Sequence, residues 1–239
     1  MAHLKGCGWL LNEYAVVILG VAVVMTRCLD MICNLHSHKP HTHPYTIIST
    51  SPTVFEPCNH CFYSVGIHPW DVPASTQAHI EALQMWARHP QVVAIGECGI
   101  DRLQGGDMEK QIAYFEQHIA LSEQVEKPLI LHIVKGIDTL LSLYNKYTPK
   151  QPWIVHGFRG NATTARQLIE KGISLSYGEK FNPLSVQATP LNMLWVESDE
   201  SEMPIEEIYE RIAATKGMPS TSLIENTFRR AQVLFFQQK

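Results

Sequence analysis

Histidine and carboxylate side chains stand at the ends of several short apolar segments of this 239-residue chain. His132 follows the run PLIL, His156 follows WIV, and Glu97 follows VVAIG. In a parallel α/β barrel the carboxyl ends of the strands converge on one face, so such residues would share a pocket. Six of them have this placement: His36, His38, Glu97, His132, His156 and Asp199. Because crowded imidazoles and carboxylates need a compensating charge, the pattern predicts a metal centre.

The pair His36 and His38 has the spacing that directs two side chains to one side of a strand. Such a pair is as typical of a surface as of a metal site when it stands alone. His41 and His43 follow it, and we assign both to a solvated loop. His68, in the segment GIHPW, is a candidate substrate contact, with a structural hydrogen-bonding role as the alternative. The other histidines are placed in the amino-terminal extension, in loops or on helix surfaces and receive no function: His3, His60, His79, His89 and His118.

The elements that would position these residues alternate along the chain from Met31 onward. Eight short apolar runs are predicted strands: Ile32–Leu35, Tyr45–Ser49, Phe62–Gly66, Val92–Gly96, Leu129–Leu131, Trp153–Val155, Ile173–Ser176 and Met193–Val196. Amphipathic stretches between them are predicted helices, among them Thr76–Ala87, Lys110–Gln124, Asp138–Tyr147 and Ala162–Lys171. Apolar strands that alternate with helices favour parallel pairing. The expectation is an α/β fold, a TIM-like (β/α) barrel formed by residues 31–239 as one domain.

Residues 1–30 differ from the rest of the chain. Their apolar run, Tyr14 to Met25, is flanked by Lys5 and Arg27. It is shorter than the about 20 residues that a membrane-spanning helix needs. No small-residue cleavage site follows it, which disfavours a signal peptide. We expect an extension outside the fold, such as a mis-assigned start would produce, in preference to a membrane anchor. The expected location is therefore cytoplasmic.

Composition and charge exclude several classes of protein. The chain is 45% hydrophobic and has a net charge of −4, so it can bury one sizeable core but lacks a global cationic field for nucleic acid. Its six cysteines are too scattered for a disulfide-rich secreted scaffold. Cys58 and Cys61 form a lone CxxC without a second pair, which favours ordinary loop cysteines over a redox or metal motif.

The order and spacing of the segments HSH, GIHPW, IGECGID, LH, HGFRG and ESD resemble the TatD-type metal-dependent hydrolases, described as DNases. The resemblance extends from about Ile32 to Phe235. It implies a barrel that holds two divalent ions and hydrolyses the phosphodiesters of DNA or of another substrate. By motif it places His36, His38 and Asp199 on one ion, His132 and His156 on the other, and Glu97 between them.

The chemistry of such a site agrees with that allocation. Two ions roughly 3.5–4 Å apart can activate a water molecule and stabilise both the attacking and the leaving oxygen. Asp199 is a candidate general base, so Asp199 and Glu97 are the predicted catalytic residues. Histidine-rich ligation suits Zn or Mn, whereas phosphodiester chemistry often uses Mg, and the cofactor is therefore predicted only as two divalent ions.

This chain departs from the family pattern at three places. Asn34 stands where the family usually has Asp, two positions before the first histidine. Lys135 is the nearest counterpart of the Arg that usually follows LH, and with His68 and Arg159 it is a predicted substrate contact; Arg102 is a weaker candidate. The segment between His38 and Gly66 is short, which predicts a barrel that is incomplete or distorted near its second strand–helix unit.

Two other functions remain open at this stage. An amidohydrolase-like enzyme that cleaves amide or lactone bonds also carries HxH on its first strand, but it commonly bridges its metals with a modified lysine, where this chain has Glu97. A non-catalytic metal-binding barrel is favoured by Asn34 and the short segment, and is opposed by the complete set of six candidate ligands. The pattern implies no stable protein partner and makes membrane association unlikely.

Overall fold

Eight parallel strands pair in chain order and form the predicted barrel. The computed structural model describes residues 31–39 and 43–236. The strands are β1 Cys33–Ser37, β2 Tyr45–Thr50, β3 Phe62–Val65, β4 Val92–Asp101, β5 Leu129–Val134, β6 Trp153–Val155, β7 Ser174–Tyr177 and β8 Leu194–Val196. Residues 1–30 and His41, for which the sequence gives expectations, lie outside the described residues.

The helices of the described residues lie between and after the later strands. They are α1 Gln77–Trp86, α2 Met108–Val125, α3 Ile137–Tyr147, α4 Ala162–Glu170, α5 Pro183–Ala188, α6 Ile205–Lys216 and α7 Ser220–Ala231, followed by a π-helical turn, Gln232–Phe236. Local chemistry fixes their ends: Asp107 accepts a hydrogen bond from Glu109 N–H at the start of α2, and Gly217 ends α6 in the left-handed region. None of these helices is both long and apolar enough to cross a membrane.

The second strand–helix unit is distorted, as the sequence predicts. In the described residues, neither the connection from β1 to β2 nor that from β2 to β3 contains a helix. The side chain of Phe55 is buried in the second connection. Its ring lies 5.0 Å from that of Tyr63 in β3 and 4.9 Å from that of Trp86 in α1. An aromatic cluster thus packs against this part of the barrel.

The barrel closes at the carboxyl ends of β1 and β8. A parallel bridge joins Ser37 to Asp199; Asp199 N–H donates to the carbonyl oxygen of His36 at 2.9 Å, and His38 N–H donates to that of Asp199 at 3.4 Å. No ladder between β1 and β8 extends along the rest of the described strands. The backbone that closes the barrel is therefore the backbone of predicted site residues.

β4 is longer than the sequence predicts, because two glycines allow a close approach to β5. A Cβ atom on Gly96 would collide with the carbonyl oxygen of Ile130, and one on Gly99 would collide with that of His132. We predicted that β4 ends at Gly96; this is wrong, since the strand continues to Asp101. Glycine inside a strand marks this kind of backbone contact as well as a strand end. Glu97 consequently lies within the strand.

Two histidines lie in other surroundings than the sequence suggests. His118, predicted on a helix surface, is fully buried in α2. His43, predicted in a solvated loop, places its Nε2 atom 2.9 Å from Glu206 Oε1 of α6. Both corrections arise because side chains distant in the sequence cover these positions in the fold.

The barrel interior holds its own apolar cluster, and Phe235 contributes to it from the π-helical turn. The cluster joins residues from strands on all sides of the barrel: Cys33, Leu35, Ile47, Val93, Ala94, Ile130, Ile154 and Trp195. The Phe235 ring lies 5.5 Å from Trp195. Phe236 contacts Tyr45 and Phe62, the first residues of β2 and β3. The turn therefore plugs the amino-terminal end of the barrel, opposite the predicted site.

Because Phe235 packs in the barrel interior, we predict that its truncation strongly lowers the stability of the fold. Phe235→Ala should lower the free energy of unfolding by about 3–5 kcal/mol, because it leaves a cavity among buried apolar side chains. Val233 lies in the same turn with 68% of its surface exposed, and Val233→Ala should change that free energy by less than about 0.5 kcal/mol. Urea unfolding monitored by circular dichroism measures both. Equal effects would show that Phe235 does not fill the interior.

Candidate metal centre

Glu97 lies at the centre of a group of imidazoles at the mouth of the barrel. Its carboxylate is almost completely buried, and its two oxygens face different nitrogens. Oε2 faces two: His36 Nε2 at 3.2 Å and His38 Nε2 at 3.4 Å. Oε1 faces three: His156 Nε2 at 2.6 Å, His132 Nδ1 at 2.9 Å and His68 Nε2 at 3.1 Å. One carboxylate therefore contacts five histidines from four parts of the barrel.

Asp199 completes the group from the segment after β8, where a bridge to Ser37 closes the barrel. Its Oδ1 atom lies 3.8 Å from His36 Nε2 and 3.7 Å from His38 Nε2. The residue has a φ of +52°, a left-handed conformation that non-glycine residues seldom adopt. The bridge to Ser37 holds this backbone in place. The side chain is 27% exposed, so it also faces the pocket above the group.

All six predicted ligands come together, and His68 joins them. Three sets have donor atoms within 4.8 Å of one another: His36, His38 and Glu97; His36, His156 and Asp199; and His68, Glu97 and His132. His156 also places Nε2 3.4 Å from His132 Nδ1. The histidine pair of HSH directs both rings toward Glu97 Oε2, as the strand spacing predicts.

Two further carboxylates lie behind the histidines. Asp101 Oδ2 is 3.1 Å from His132 Nε2, and Glu197 Oε1 is 3.4 Å from His156 Nδ1. If each carboxylate accepts the N–H of its histidine, the other ring nitrogen presents a lone pair toward Glu97. This arrangement of carboxylate, histidine and a forward lone pair is typical of metal-binding histidines. Neither residue is among the predicted ligands, although Glu197 lies two positions before Asp199 in the segment ESD.

Unsatisfied polar atoms also fit a cation. Both ring nitrogens of His36 are buried and form no well-aligned hydrogen bond among the described residues, although Nε2 lies 3.2 Å from Glu97 Oε2. Buried polar groups nearly always have a partner, and a cation bound at Nε2 would supply one. The nitrogen and oxygen donors suit divalent ions such as Zn or Mn. The residues present therefore fit the metal ions that the sequence resemblance implies.

The electrostatics of the metal-free group are dominated by Glu97. Burial would raise the pKa of Glu97, but the charges of His156 and His36 and hydrogen bonds from His132 and His156 hold it well below its usual range. Burial would lower the pKa of His156, yet the two carboxylates, Glu97 and Glu197, hold it well above its usual range. The hydrogen bond to Glu97 raises the pKa of His38. Glu97 and His156 thus stabilise each other's charged forms.

Asn34, which replaces the usual Asp, joins the two strands of the seam. Its Nδ2 atom donates to Ser198 Oγ at 2.8 Å, and its Oδ1 atom accepts from Ser198 N–H at 2.9 Å. Ser198 Oγ in turn donates to Ser37 Oγ at 3.3 Å. Ser198 lies between Glu197 and Asp199, so the buried amide of Asn34 fixes the segment that carries both carboxylates.

His118 fixes the segment that carries His68. Its Nε2 atom accepts a hydrogen bond from Ile67 N–H at 2.9 Å, and its Nδ1 atom lies 2.7 Å from the carbonyl oxygen of Tyr114. Burial lowers the pKa of His118 to about 4, so it is neutral near pH 7. This neutral side chain connects α2 to the residue before His68.

A pocket of about 420 Å³ opens above the candidate metal centre. Glu97, His132, His156 and Asp199 form its floor, and Ser49 to Ser51, Val54 and Trp70 line it as well. A second pocket, of about 390 Å³, shares Asp199 and Glu200 with the first and is lined by Arg159. Of the predicted phosphate contacts, Lys135 is exposed and does not line either pocket. Arg102 instead forms an ion pair with Asp138 at 2.7 Å.

Comparisons with known proteins agree with this geometry. The model of a family described as TatD related DNase matches residues 22–236. The 3'-5' ssDNA/RNA exonuclease TatD of Klebsiella pneumoniae is 28% identical over 171 residues, which cover 67% of this chain and 65% of that protein. An uncharacterized metal-dependent hydrolase of Buchnera aphidicola is 27% identical over 179 residues, covering 68% of this chain and 67% of that protein. The alignments thus span about two thirds of these relatives.

A solved structure shows the same fold. The crystal structure of YJJV, a TatD homologue from Escherichia coli, superimposes with a TM-score of 0.76 at 18% sequence identity. It covers 88% of this chain and 100% of that chain. The barrel with its distorted second unit is therefore similar to a barrel already observed by crystallography.

Asn34 joins β1 to the segment after β8 through its hydrogen bonds to Ser198. We predict that the loss of these hydrogen bonds lowers the affinity for metal. Asn34→Ala should leave Ser198 N–H buried without a partner, which lowers the free energy of unfolding by about 1–3 kcal/mol. It should also weaken Mn²⁺ binding about 10- to 100-fold, as removal of a group that orients ligands does. Asn34→Asp can accept from both Ser198 donors and should retain Mn²⁺ affinity. Calorimetric Mn²⁺ titration and chemical unfolding in chelator measure these effects; unchanged affinity in Asn34→Ala would contradict this prediction.

The burial of His118 predicts a pH-dependent contribution to stability. Its folded pKa of about 4 lies below the unfolded value of about 6.5, so acid favours the unfolded chain. The contribution is complete above about pH 6.5 and is lost as the pH falls toward 4. His118→Gln keeps an acceptor for Ile67 N–H but cannot titrate. Its stability deficit relative to the native protein should therefore shrink by about 2–3 kcal/mol between pH 7 and 4.5.

Chemical unfolding of both proteins in chelator at the two pH values tests this, because the other titrating groups are common to both. A deficit that stays constant with pH would show that His118 is not buried in its neutral form.

Proposed function

The chain belongs to the TatD related DNase family, and from this premise we propose that it is a divalent-metal-dependent hydrolase that cleaves phosphodiester bonds in nucleic acid. One observation carries the proposal: imidazoles from several strands converge on the buried Glu97 carboxylate, and His132 and His156 each have a further carboxylate behind them.

Two divalent ions would be held on opposite sides of Glu97. Its Oε2 atom, with His36, His38 and Asp199, forms the first set. Its Oε1 atom, with His132 and His156, forms the second. His68, expected as a substrate contact, places Nε2 3.1 Å from the same Oε1 atom; because its Nδ1 atom accepts from Trp70 N–H, His68 would donate a hydrogen bond to Glu97 rather than hold the ion. Glu97 would contribute to both sets, because its two oxygens face different nitrogens.

When bound, divalent ions activate a water molecule and neutralise charge on the phosphate oxygens. The side chains of the protein would orient the metal ligands and accept a proton. Asp101 and Glu197 would accept the N–H of His132 and His156, which would leave the other ring nitrogen of each histidine with a lone pair for the ion. Asp199 is partly exposed to the pocket, and its carboxylate would accept a proton from the attacking water.

Two observations support nucleic acid as the substrate: the activity for which a relative is named, and the residues that line the pockets. A relative is named as an exonuclease of single-stranded DNA and RNA. Arg159 and Lys180 line the pocket next to Asp199 and are the cations available there for a neighbouring phosphate. Since the chain is acidic overall, its affinity for nucleic acid should be modest and strongly weakened by salt. An amidohydrolase activity has less support, because Glu97 occupies the position of the bridging lysine.

The proposal is tested by the loss of Asp199. Asp199→Asn keeps the shape of the side chain but cannot accept a proton, and it should lower turnover of a single-stranded oligodeoxynucleotide by about 10²–10⁴-fold at saturating Mn²⁺. Its thermal stability in chelator should change little. Glu200→Gln is the matched control, because Glu200 lines the same pocket and is exposed.

The same preparation should be assayed on amide and lactone substrates. Turnover of those substrates with none of the oligonucleotide would overturn the proposed reaction, and near-normal turnover by Asp199→Asn would remove this residue from the mechanism.

A further inference from the structure

Trp70 is a large apolar side chain that is exposed beside the candidate metal centre. Half of its surface, 50%, is accessible. It lines the same pocket as Glu97, His132 and Asp199. The pocket also contains Val54, which is 69% exposed. Exposed apolar side chains that surround a polar, charged floor indicate a ligand with both an aromatic or apolar part and a charged part.

The indole ring is held rigidly although its surface is exposed. Its Nε1 atom donates to Asp101 Oδ2 at 2.7 Å, so its polar group is satisfied within the protein. The backbone N–H of Trp70 donates to His68 Nδ1 at 3.1 Å. The His68 ring lies 4.7 Å away at 78°, and the His132 ring lies 5.8 Å away at 74°. A ligand would therefore find this ring already ordered, without the entropy cost of fixing a mobile side chain.

The charges of the pocket explain why an aromatic contact would matter. Among the described residues that line it there is no Lys or Arg. Phosphate bound at this position would depend on the metal centre, and the remainder of a nucleotide would have no cationic side chain to hold it. Besides the hydroxyl groups of Ser49 to Ser51, the pocket presents the apolar surface of Trp70 and Val54 to that remainder.

We propose that Trp70 is the platform on which the nucleobase next to the cleaved phosphate stacks. The inference rests on the proposed function and adds the way in which the substrate is positioned. Base stacking on an aromatic side chain tolerates any base, because each base has a flat face. It requires that face to be free, which favours an unpaired base at a strand end over a base inside a duplex.

The first test compares three substrates and three proteins. The substrates are a short single-stranded oligodeoxynucleotide and the same strand with an abasic residue beside the cleaved bond, placed on either side in turn. The native protein should lose about 10- to 100-fold in kcat/KM on one abasic substrate, mainly through KM. Trp70→Ala should show that loss on the normal strand and no further loss on the abasic one.

Trp70→Phe separates stacking from support of Asp101. Phenylalanine keeps a flat ring but has no N–H for Asp101, so stacking predicts that it retains most of the discrimination between the normal and the abasic strand. If Trp70 acted only by holding Asp101 and His132, Trp70→Phe would be as impaired as Trp70→Ala, and both would still discriminate against the abasic strand. That outcome would overturn the proposal.

A binding experiment gives a result even if no phosphodiester is cleaved. The chain has five tryptophans, and the difference in fluorescence between the native protein and Trp70→Phe isolates Trp70. A nucleoside 5'-monophosphate should quench this difference signal, whereas ribose 5-phosphate should not. Quenching without turnover would refute the proposed function and retain the platform. Turnover without quenching or abasic discrimination would refute the platform alone.

Discussion

The structure depends on one buried carboxylate and the nitrogens that compensate it. Removing a carboxylate from water costs several kcal/mol unless charges or hydrogen-bond donors surround it. Glu97 meets this requirement with histidines that must arrive from β1, β5 and the segments after β3 and β6. It reaches them because β4 continues past Gly96 and lies close against β5. The geometry of the barrel mouth and the chemistry of the site are therefore a single arrangement.

The seam between β1 and β8 shows how fold and site constrain each other. The barrel closes through backbone hydrogen bonds of His36, His38 and Asp199, and the buried amide of Asn34 binds Ser198 beside them. The substitution of Asn for the usual Asp fits here because an amide can both donate to and accept from one serine. Ligands for a cation are thus placed by the same contacts that complete the barrel.

Sequence reasoning found the residues that strand ends bring together, and it missed those that depend on tertiary packing. His132 could be predicted because a polar residue after an apolar strand must lie at the barrel mouth. Asp101 could not, because β4 was expected to end at Gly96, five residues earlier. Glu197 was overlooked beside a more obvious carboxylate, although its spacing from Asp199 contained the signal. His118 lies in a helix whose burial depends on the partner across it, here the backbone of Ile67.

The aromatic plug has a consequence for the order in which the molecule can be completed. Phe235 fills the barrel from a turn that follows all eight strands in the chain. During synthesis, the strands emerge from the ribosome before the side chain that seals them. Until then the interior apolar cluster is open to water at one end, a state that invites chaperone binding or aggregation. The incomplete barrel therefore remains prone to aggregation until the turn that carries Phe235 has docked.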